Sequence, residues 1–250
     1  MPSTNVSYPP HTGHSYQDLL SQLSKARSVE RYLEIGVCGG KTFANICCDA
    51  AVGVDPHYLL NSNIMLNKKR AFLFQMTSDV FFRSVDVKKF LDGAPDLSFL
   101  DGMHKFEYLL RDFINVERIS ERHSLIAMHD CLPLNATMAN RSEKIAKELG
   151  AGTTYENWWT GDVWKLIPIL KAYRPDLKLI AVDAPPTGLL FVTNLDPESR
   201  VLDDEYLDIV EAFLPGTAGD EKFEKLHDMI EVKPTTALLH DLEQSLYLRM

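Results

Sequence analysis

Two aspartates and two histidines occupy positions from which they could act together on a bound substrate. Asp101 and Asp130 each end a short apolar run, His104 follows Asp101 by three residues, and His129 directly precedes Asp130. If the two runs are neighbouring parallel strands, about 5 Å apart, both carboxylates converge at one edge of the sheet. Paired carboxylates are typical ligands of a divalent cation, which would bind a substrate hydroxyl and lower its pKa. His104 is then the candidate general base at neutral pH.

The elements that must position these residues alternate regularly along the chain. Apolar runs at residues 31–37, 51–56, 71–76, 97–101 and 124–130 are separated by helical stretches, which is typical of a doubly wound, mostly parallel α/β sheet covered on both faces. Two further runs, 177–183 and 188–194, flank a Pro-Pro-Thr turn and predict an antiparallel hairpin. The predicted fold is therefore α/β, with a sheet of seven strands that ends in this hairpin.

Three segments flank or interrupt the predicted sheet domain, which spans residues 30–196. Residues 1–29 predict an N-terminal arm and helix, and residues 197–250 a helical C-terminal extension with apolar residues at helix spacing in 206–214 and 238–246. Residues 131–161 break the alternation and predict a loop on the substrate side. Trp158 and Trp159 in this loop would either close over a substrate or anchor the loop on the core. Asp162 is predicted to cap the helix that follows it.

A glycine-rich loop follows the first predicted strand, in the segment LEIGVCGGKT. Glu34 ends this strand, and Gly36 and Gly40 allow the tight turns that bring a backbone close to a nucleotide-type ligand. Cys38 stands where the dinucleotide fingerprint has a second glycine, and no Walker pattern follows, which disfavours a nicotinamide enzyme. Asp55, at the end of the second strand, can accept hydrogen bonds from both ribose hydroxyls. Without a ligand, Glu34 would accept loop amides and Asp55 would be an ordinary turn residue.

Six motifs together resemble class I S-adenosylmethionine-dependent methyltransferases across roughly residues 31–194: LEIGVCGGKT, VGVDP, MTSDVFF, LSFLDGMHKFEYLLRDF, LIAMHDC and GDVWKL. They look like a bacterial subfamily with Asp-Gly-x-His after the fourth strand and His-Asp after the fifth. The resemblance implies a Rossmann-like methyltransferase domain with S-adenosylmethionine bound above the carboxyl edge of the sheet. It implies cofactor contacts from Gly36, Gly40 and Thr42 to the methionine moiety, from Asp55 to the ribose, and from Ser78 and Asp79 to the adenine edge, with Glu34 and Asp101 completing the set.

Instead of contacting a cofactor, Ser78 and Asp79 could form the N-cap of a helix that includes the following phenylalanines. Asp101 could likewise cap a helix. His104 could be a hydrogen-bonded surface histidine, as single histidines usually are.

Asp101, His104 and Asp130 together form what we call the reacting end of the predicted site. Their arrangement is similar to that in metal-dependent O-methyltransferases that act on sugars of macrolide antibiotics. This similarity implies that Asp101 and Asp130 hold the metal, that His104 is the base, and that the substrate is a small hydroxylated metabolite such as a sugar or glycoside. The acidic pair of those enzymes is incomplete here, because His129 precedes Asp130 and Cys131 follows it. Either His129 is the third ligand, which suits Mn²⁺, Fe²⁺ or Zn²⁺ better than Mg²⁺, or no metal is bound.

Composition limits the classes of partner and compartment. The formal net charge is −9 with no compensating basic block, which argues against nucleic acid or an anionic membrane and favours a small-molecule substrate. The four cysteines show no zinc-type spacing, so reduced thiols are expected. No apolar run of about 18 residues and no signal peptide is evident, so a cytoplasmic location is expected. The apolar C-terminal helices predict a homo-oligomer.

Two rival functions fit the same sequence. In the first, the protein is a metal-free O- or N-methyltransferase that works by positioning alone, and its activity would survive chelation by EDTA. In the second, the protein keeps the fold but is a non-catalytic binding or scaffold protein, which would not bind S-adenosylmethionine.

Overall fold

The computed structural model describes residues 7–214 and 221–244, and one sheet organises them. Its strands are β1 (Arg31–Ile35), β2 (Ala50–Val54), β3 (Arg70–Phe74), β4 (Leu97–Leu100), β5 (Leu125–His129), β6 (Lys178–Val182), β7 (Leu189–Thr193) and β8 (Val232–Lys233). They lie in the order β3-β2-β1-β4-β5-β7-β6-β8. The strands β1 to β5 pair in parallel, whereas β7 runs antiparallel to both β5 and β6.

The predicted doubly wound, Rossmann-like sheet with an antiparallel hairpin at one edge is confirmed, with one correction to its size. The sheet has eight strands rather than seven, because Val232 and Lys233 of the C-terminal extension pair in parallel with Ala181 and Val182. Two residues are too few to give an alternating or continuous apolar pattern, so the sequence carried no signal for this strand.

Helices connect the strands and cover both faces of the sheet. They are α1 (Tyr16–Ala26), α2 (Lys41–Asn45), α3 (Ser78–Ser84), α4 (Val87–Leu91), α5 (Phe106–Ile119), α6 (Glu143–Gly150), α7 (Leu166–Tyr173), α8 (Val201–Asp204), α9 (Tyr206–Phe213), α10 (Glu221–Glu224), α11 (Leu226–Met229) and α12 (Thr235–Gln244), with a 3₁₀ turn at Val163–Lys165. The helix predicted over 238–246 corresponds to α12, and its last two residues lie outside the described part of the chain.

Two hydrophobic layers form because neighbouring strand residues point to opposite faces. On one face, strand residues such as Leu33 and Ile126 are buried in a core that includes Phe113 of α5. On the other face, strand residues such as Phe99 are buried in a core that includes Leu20 of α1. Burial on both faces explains why the central strands read as continuous apolar runs. Among the described residues, no helix has both the length and the apolar character that a membrane crossing requires.

Asp162 ties the segment 131–161 to the start of α5. The prediction that it caps its own helix is wrong, since its side chain makes no capping bond to the turn that follows. Its Oδ1 accepts the backbone N–H of Phe106 at 3.0 Å, while Oδ2 accepts from Arg141 at 3.0 Å and from Lys165 at 3.1 Å. A carboxylate at the N-terminus of α5 also complements the helix dipole. Asp162 therefore fixes α5, which begins just beyond His104.

Replacing Asp162 with alanine is expected to lower the melting temperature by roughly 6–12 °C, because breaking a buried pair costs about 3–5 kcal/mol. Thermal unfolding followed by circular dichroism at neutral pH measures the shift. Asp49→Ala is the matched control, because it removes an exposed ion pair with Lys69, 2.7 Å long, whose loss costs under about 1 kcal/mol. Equal shifts in the two variants would contradict the anchoring role of Asp162.

Candidate active site

A cavity of about 500 Å³ opens at the carboxyl ends of β1, β2 and β4. Its volume lies in the range of small-molecule sites, and most of its lining is apolar with a few polar groups, as such sites require. The polar and glycine residues that line it are Gly36, Asp55, Thr77, Ser78, Asp79, Asp101, Gly102, His104, Tyr108 and Asp112. The cavity is therefore lined both by the predicted cofactor loop, which follows β1, and by Asp101 and His104 of the predicted reacting end.

Gly36 joins these two parts of the site through its backbone. Its φ is +93°, and a Cβ added there would lie 2.1 Å from the carbonyl oxygen of Asp101. No side chain fits that space, so the loop after β1 packs directly against the end of β4. The sequence indicated that Gly36 serves close approach to a ligand. The structure shows that Gly36 is also needed for close approach to the backbone of Asp101.

Asp55 holds the cofactor loop in shape. One of its carboxylate oxygens accepts the backbone N–H of Cys38 and the other that of His57, each at 2.7 Å. Cys38 has a φ of +45°, a left-handed conformation that this bond helps to hold. Each carboxylate oxygen can accept a second bond, so Asp55 lines the cavity with acceptor capacity to spare.

Five of the eight predicted cofactor residues line the cavity, namely Gly36, Asp55, Ser78, Asp79 and Asp101. The other three are buried and are not among the lining residues. Glu34 is buried and accepts a hydrogen bond from the Tyr32 hydroxyl at 2.6 Å. Gly40 is the N-cap of α2, and Thr42 in the first turn of that helix hydrogen-bonds the Tyr16 side chain. Glu34, Gly40 and Thr42 are thus engaged by other parts of the protein and do not line the cavity.

The segment at α3 corrects one of the two predictions made for it, the helix N-cap, whereas contact with adenine stays a prediction. The helix is capped by Thr77, which accepts the N–H of Val80 at 3.4 Å, so neither Ser78 nor Asp79 is the N-cap. Both carboxylate oxygens of Asp79 instead accept from Arg111, at 2.9 and 2.8 Å. Asp79 thus lines the cavity while its carboxylate is engaged in a bidentate ion pair.

Asp101, His104 and Asp130 come together, with one ligand-type atom of each within 4.8 Å of the others. The Nδ1 of His104 lies 3.3 Å from Asp130, and its Nε2 lies 3.7 Å from Asp101. Nδ1 also contacts the carbonyl oxygen of Trp159 at 3.1 Å. Because a carbonyl oxygen can only accept, this contact requires a proton on Nδ1, so in the neutral ring the lone pair lies on Nε2. That is the tautomer a general base needs at Nε2.

His129 lies beside both carboxylates. Its Nδ1 is 3.2 Å from Asp101 and 3.4 Å from Asp130, and its Nε2 is 3.4 Å from the hydroxyl of Thr187, which donates to Asp130. Burial opposes a charge on this ring, yet the two carboxylates outweigh it and raise the pKa of His129 well above its ordinary value. Burial likewise opposes ionisation of Asp130, but the charge of His129 lowers the pKa of that carboxyl.

The backbone at the reacting end is also unusual. Asp130 has a φ of +61°, which lies in the left-handed region and turns the chain sharply as it leaves β5. Gly161 has the same φ, and a Cβ there would lie 1.7 Å from the carbonyl oxygen of His104. The segment 131–161 therefore closes against the reacting residues through main-chain contact that only glycine permits.

Asp101, His104, His129 and Asp130 form a polar cluster, and a second cavity of about 420 Å³ borders it. The residues that line this second cavity are Asp101, His104, His129, Asp130, Asn157, Trp158, Trp159, Pro186 and Thr187. Trp159 stacks on His104 with ring centroids 5.0 Å apart and donates its indole N–H to the carbonyl oxygen of Asn140 at 2.7 Å. Trp159 therefore ties its segment together and packs against His104 in the wall of this cavity, and its closure over a substrate stays a prediction.

Several residues at the site were not predicted from the sequence, and three of them are Tyr16, Thr187 and Asp112. The Tyr16 ring packs against that of His129 in a tilted arrangement with centroids 4.1 Å apart, Thr187 donates a hydrogen bond to Asp130, and Asp112 lines the first cavity. Only Asp112 carried a usable signal, because an acid three residues after Leu109 falls on the apolar side of the predicted helix. Tyr16 and Thr187 are distant in sequence from the motifs they contact.

Comparisons with known proteins add distant structural similarities. No family model matches the chain, and no curated protein matches it. Solved structures that it resembles include an O-methyltransferase from Bacillus cereus in complex with SAH, with 15% identity and a TM-score of 0.47 over 74% of this chain and 83% of that one. SAH-bound PaMTH1 of Podospora anserina has 13% identity and a TM-score of 0.48 over 72% and 78%.

A further structure is MycE of the mycinamycin biosynthetic pathway, in complex with Mg, SAH and mycinamycin VI. It is similar at 14% identity and a TM-score of 0.43, over 71% of this chain and 48% of that chain. Similarities at this level transfer no function to the chain.

Glu34→Gln is expected to gain stability relative to wild type as the pH rises. Burial raises the pKa of Glu34 to about 8 from an ordinary 4.5, so the folded state keeps a proton that the unfolded state has already lost. Wild-type stability is therefore complete below about pH 4.5 and falls until about pH 8, whereas glutamine does not titrate.

Melting temperatures measured from about pH 5 to about pH 8 should show the difference between variant and wild type growing by roughly 7–14 °C. Glu30→Gln, which alters an exposed glutamate, is the control. A constant difference between Glu34→Gln and wild type across this pH range would show that Glu34 is not held neutral in the folded protein.

Proposed function

We propose that the protein is an S-adenosylmethionine-dependent methyltransferase that methylates a hydroxyl group of a small metabolite such as a sugar or glycoside. One observation carries this proposal: Asp101 and His104 line both cavities. A cofactor in the first cavity and an acceptor in the second would therefore meet at these two residues. Such convergence supplies the proximity and alignment on which a displacement at a methyl carbon depends.

The chain's own residues would carry out three tasks in this reaction. The loop held by Asp55 would bind the cofactor, whose sulfonium group supplies an electrophilic methyl when bound. His104, with its Nε2 lone pair free, would accept the proton of the acceptor hydroxyl, and Asp101 beside it would stabilise the imidazolium that forms. Trp158 and Trp159 would cover the acceptor and exclude water from the reacting atoms.

The donor set of the polar cluster fits a divalent transition metal better than Mg²⁺. Asp101 and Asp130 would hold the ion through oxygen, and His129, whose Nδ1 lies 3.2 and 3.4 Å from these two carboxylates, would supply a ring nitrogen in its neutral form. Nitrogen ligands suit Mn²⁺, Fe²⁺ or Zn²⁺, whereas Mg²⁺ prefers oxygen. A bound ion would lower the pKa of the acceptor hydroxyl.

A metal-free mechanism has a specific observation in its favour as well. His129 already lies within 3.4 Å of both carboxylates and carries a raised pKa, so its imidazolium form would balance their charge without an ion. His104 would then act on an acceptor held by contacts alone, and the acceptor atom could be oxygen or nitrogen. Chelation separates the two mechanisms.

Calorimetric titration with S-adenosylhomocysteine tests the cofactor part of the proposal. Wild-type protein is expected to bind it with a Kd in the micromolar range, and Asp55→Ala to bind at least about 10-fold more weakly, because the loop loses its anchor. The control is Asp49→Ala, which changes a half-exposed aspartate that does not line the cavity. This variant should bind S-adenosylhomocysteine as the wild type does. Absence of binding to the wild-type protein would refute the methyltransferase proposal and favour a scaffold role.

Release of S-adenosylhomocysteine in the presence of a panel of sugars and glycosides tests the role of a metal. If an ion takes part, EDTA should reduce turnover at least about 100-fold, and Mn²⁺ should restore it better than Mg²⁺ because the donor set includes imidazole. Turnover that is unchanged by EDTA would establish the metal-free mechanism instead. The control is S-adenosylhomocysteine binding, which should not respond to EDTA under either mechanism.

A further inference from the structure

Asp112 is a buried acid in the wall of the first cavity that the proposed chemistry does not use. It lies on α5 with only 4% of its surface exposed, and it lines the cavity beside Ser78 and Gly102. Burial raises the pKa of its carboxyl to about 7. A buried carboxyl held in this way weakens the folded state as the pH rises, so its presence in a cavity wall calls for a ligand-binding explanation.

The cation nearest in sequence is committed elsewhere. Arg111 donates to both carboxylate oxygens of Asp79 and, at 2.7 Å, to the hydroxyl of Tyr206, while its guanidinium stacks over the ring of Tyr108. Asp112 receives a hydrogen bond from Ser78. A carboxyl group has about four acceptor positions, so one bond from a hydroxyl leaves several of them available to a donor in the cavity.

The position of Asp112 within the cavity indicates which part of a ligand it would meet. Asp101 and His104, where the methyl group would be transferred, lie on the side shared with the second cavity. Asp55, the predicted ribose ligand, follows β2, whereas Asp112, Ser78 and Asp79 form the wall contributed by α3 and α5. The residues predicted to meet the adenine edge thus share their wall with Asp112, but Asp79 is already engaged by Arg111.

We propose that Asp112 recognises the exocyclic amino group of the adenine ring and makes the cavity selective for adenosyl ligands. This inference rests on the proposed function and adds a specificity residue to it. A carboxyl oxygen accepts a hydrogen bond from an amino group in either protonation state of the acid, so the contact is available across the neutral pH range. Asp79 is then a positioning residue, whose ion pair with Arg111 fixes α3 against α5 and so places Ser78 beside Asp112.

Two variants and two ligands test this assignment by calorimetry. The ligands are S-adenosylhomocysteine and its analogue with an unsubstituted purine, which lacks the amino group. Asp112→Leu removes the acceptor and keeps a similar volume, whereas Asp112→Asn retains an acceptor oxygen. Melting temperatures verify folding, and Asp112→Leu is expected to be at least as stable as wild type at about pH 8, because it no longer buries an acid.

Wild type should prefer S-adenosylhomocysteine to the analogue by about 10-fold, since a buried acceptor left without its donor is costly. Asp112→Leu should bind the two ligands equally, because its affinity falls for S-adenosylhomocysteine alone, and Asp112→Asn should restore most of the preference. A preference that persists in Asp112→Leu, or an equal loss of affinity for both ligands, would overturn the assignment.

The outcomes also separate this inference from the proposed function. Equal binding of both ligands by the wild type would refute the role of Asp112 and leave the cofactor site intact. No binding of S-adenosylhomocysteine by the wild type would refute the methyltransferase proposal itself.

Discussion

Two carboxylates of like charge, held close together at a sheet edge, are the constraint around which the reacting end is built. Asp101 and Asp130 follow neighbouring parallel strands, which are spaced about 4.8 Å apart, so the sheet brings the two residues together whatever their side chains prefer. Repulsion at such a distance is substantial in a partly buried site, and a positive charge must offset it. His129 lies next to both groups and can provide that charge within the chain itself.

The surrounding structure keeps this polar cluster in place by tying separate segments to it. Asp162 connects the start of α5 to Arg141 and Lys165, and Trp159 stacks on the ring of His104. Gly161 lets the main chain pass against His104, as Gly36 lets the cofactor loop pass against Asp101. These backbone contacts make the two cavities meet at fixed positions, which is the geometry a transfer reaction between two ligands requires.

Buried acids distinguish the cofactor half of the site from the rest of the core. Glu34 accepts a hydrogen bond from Tyr32 and does not line the cavity, whereas Asp112 lines the cavity and has acceptor positions to spare. Burial raises the pKa of both groups, which weakens the folded state at alkaline pH. The contrast between them is functional in our interpretation: one acid shapes the loop and the other recognises a ligand.

The sequence by itself determined the sheet, its hairpin and the convergence of Asp101, His104 and Asp130, because apolar runs specify buried strands and parallel strands end at one edge. It also indicated Gly36 and Asp55 in the cavity wall. It could not determine β8, which is only two residues long, nor the real partners of Asp162 and Asp79, since an ion pair depends on which helices pack together. The tertiary structure alone placed Tyr16 and Thr187 at the site, because these residues reach it from elements whose relative positions are fixed by packing rather than by local sequence pattern.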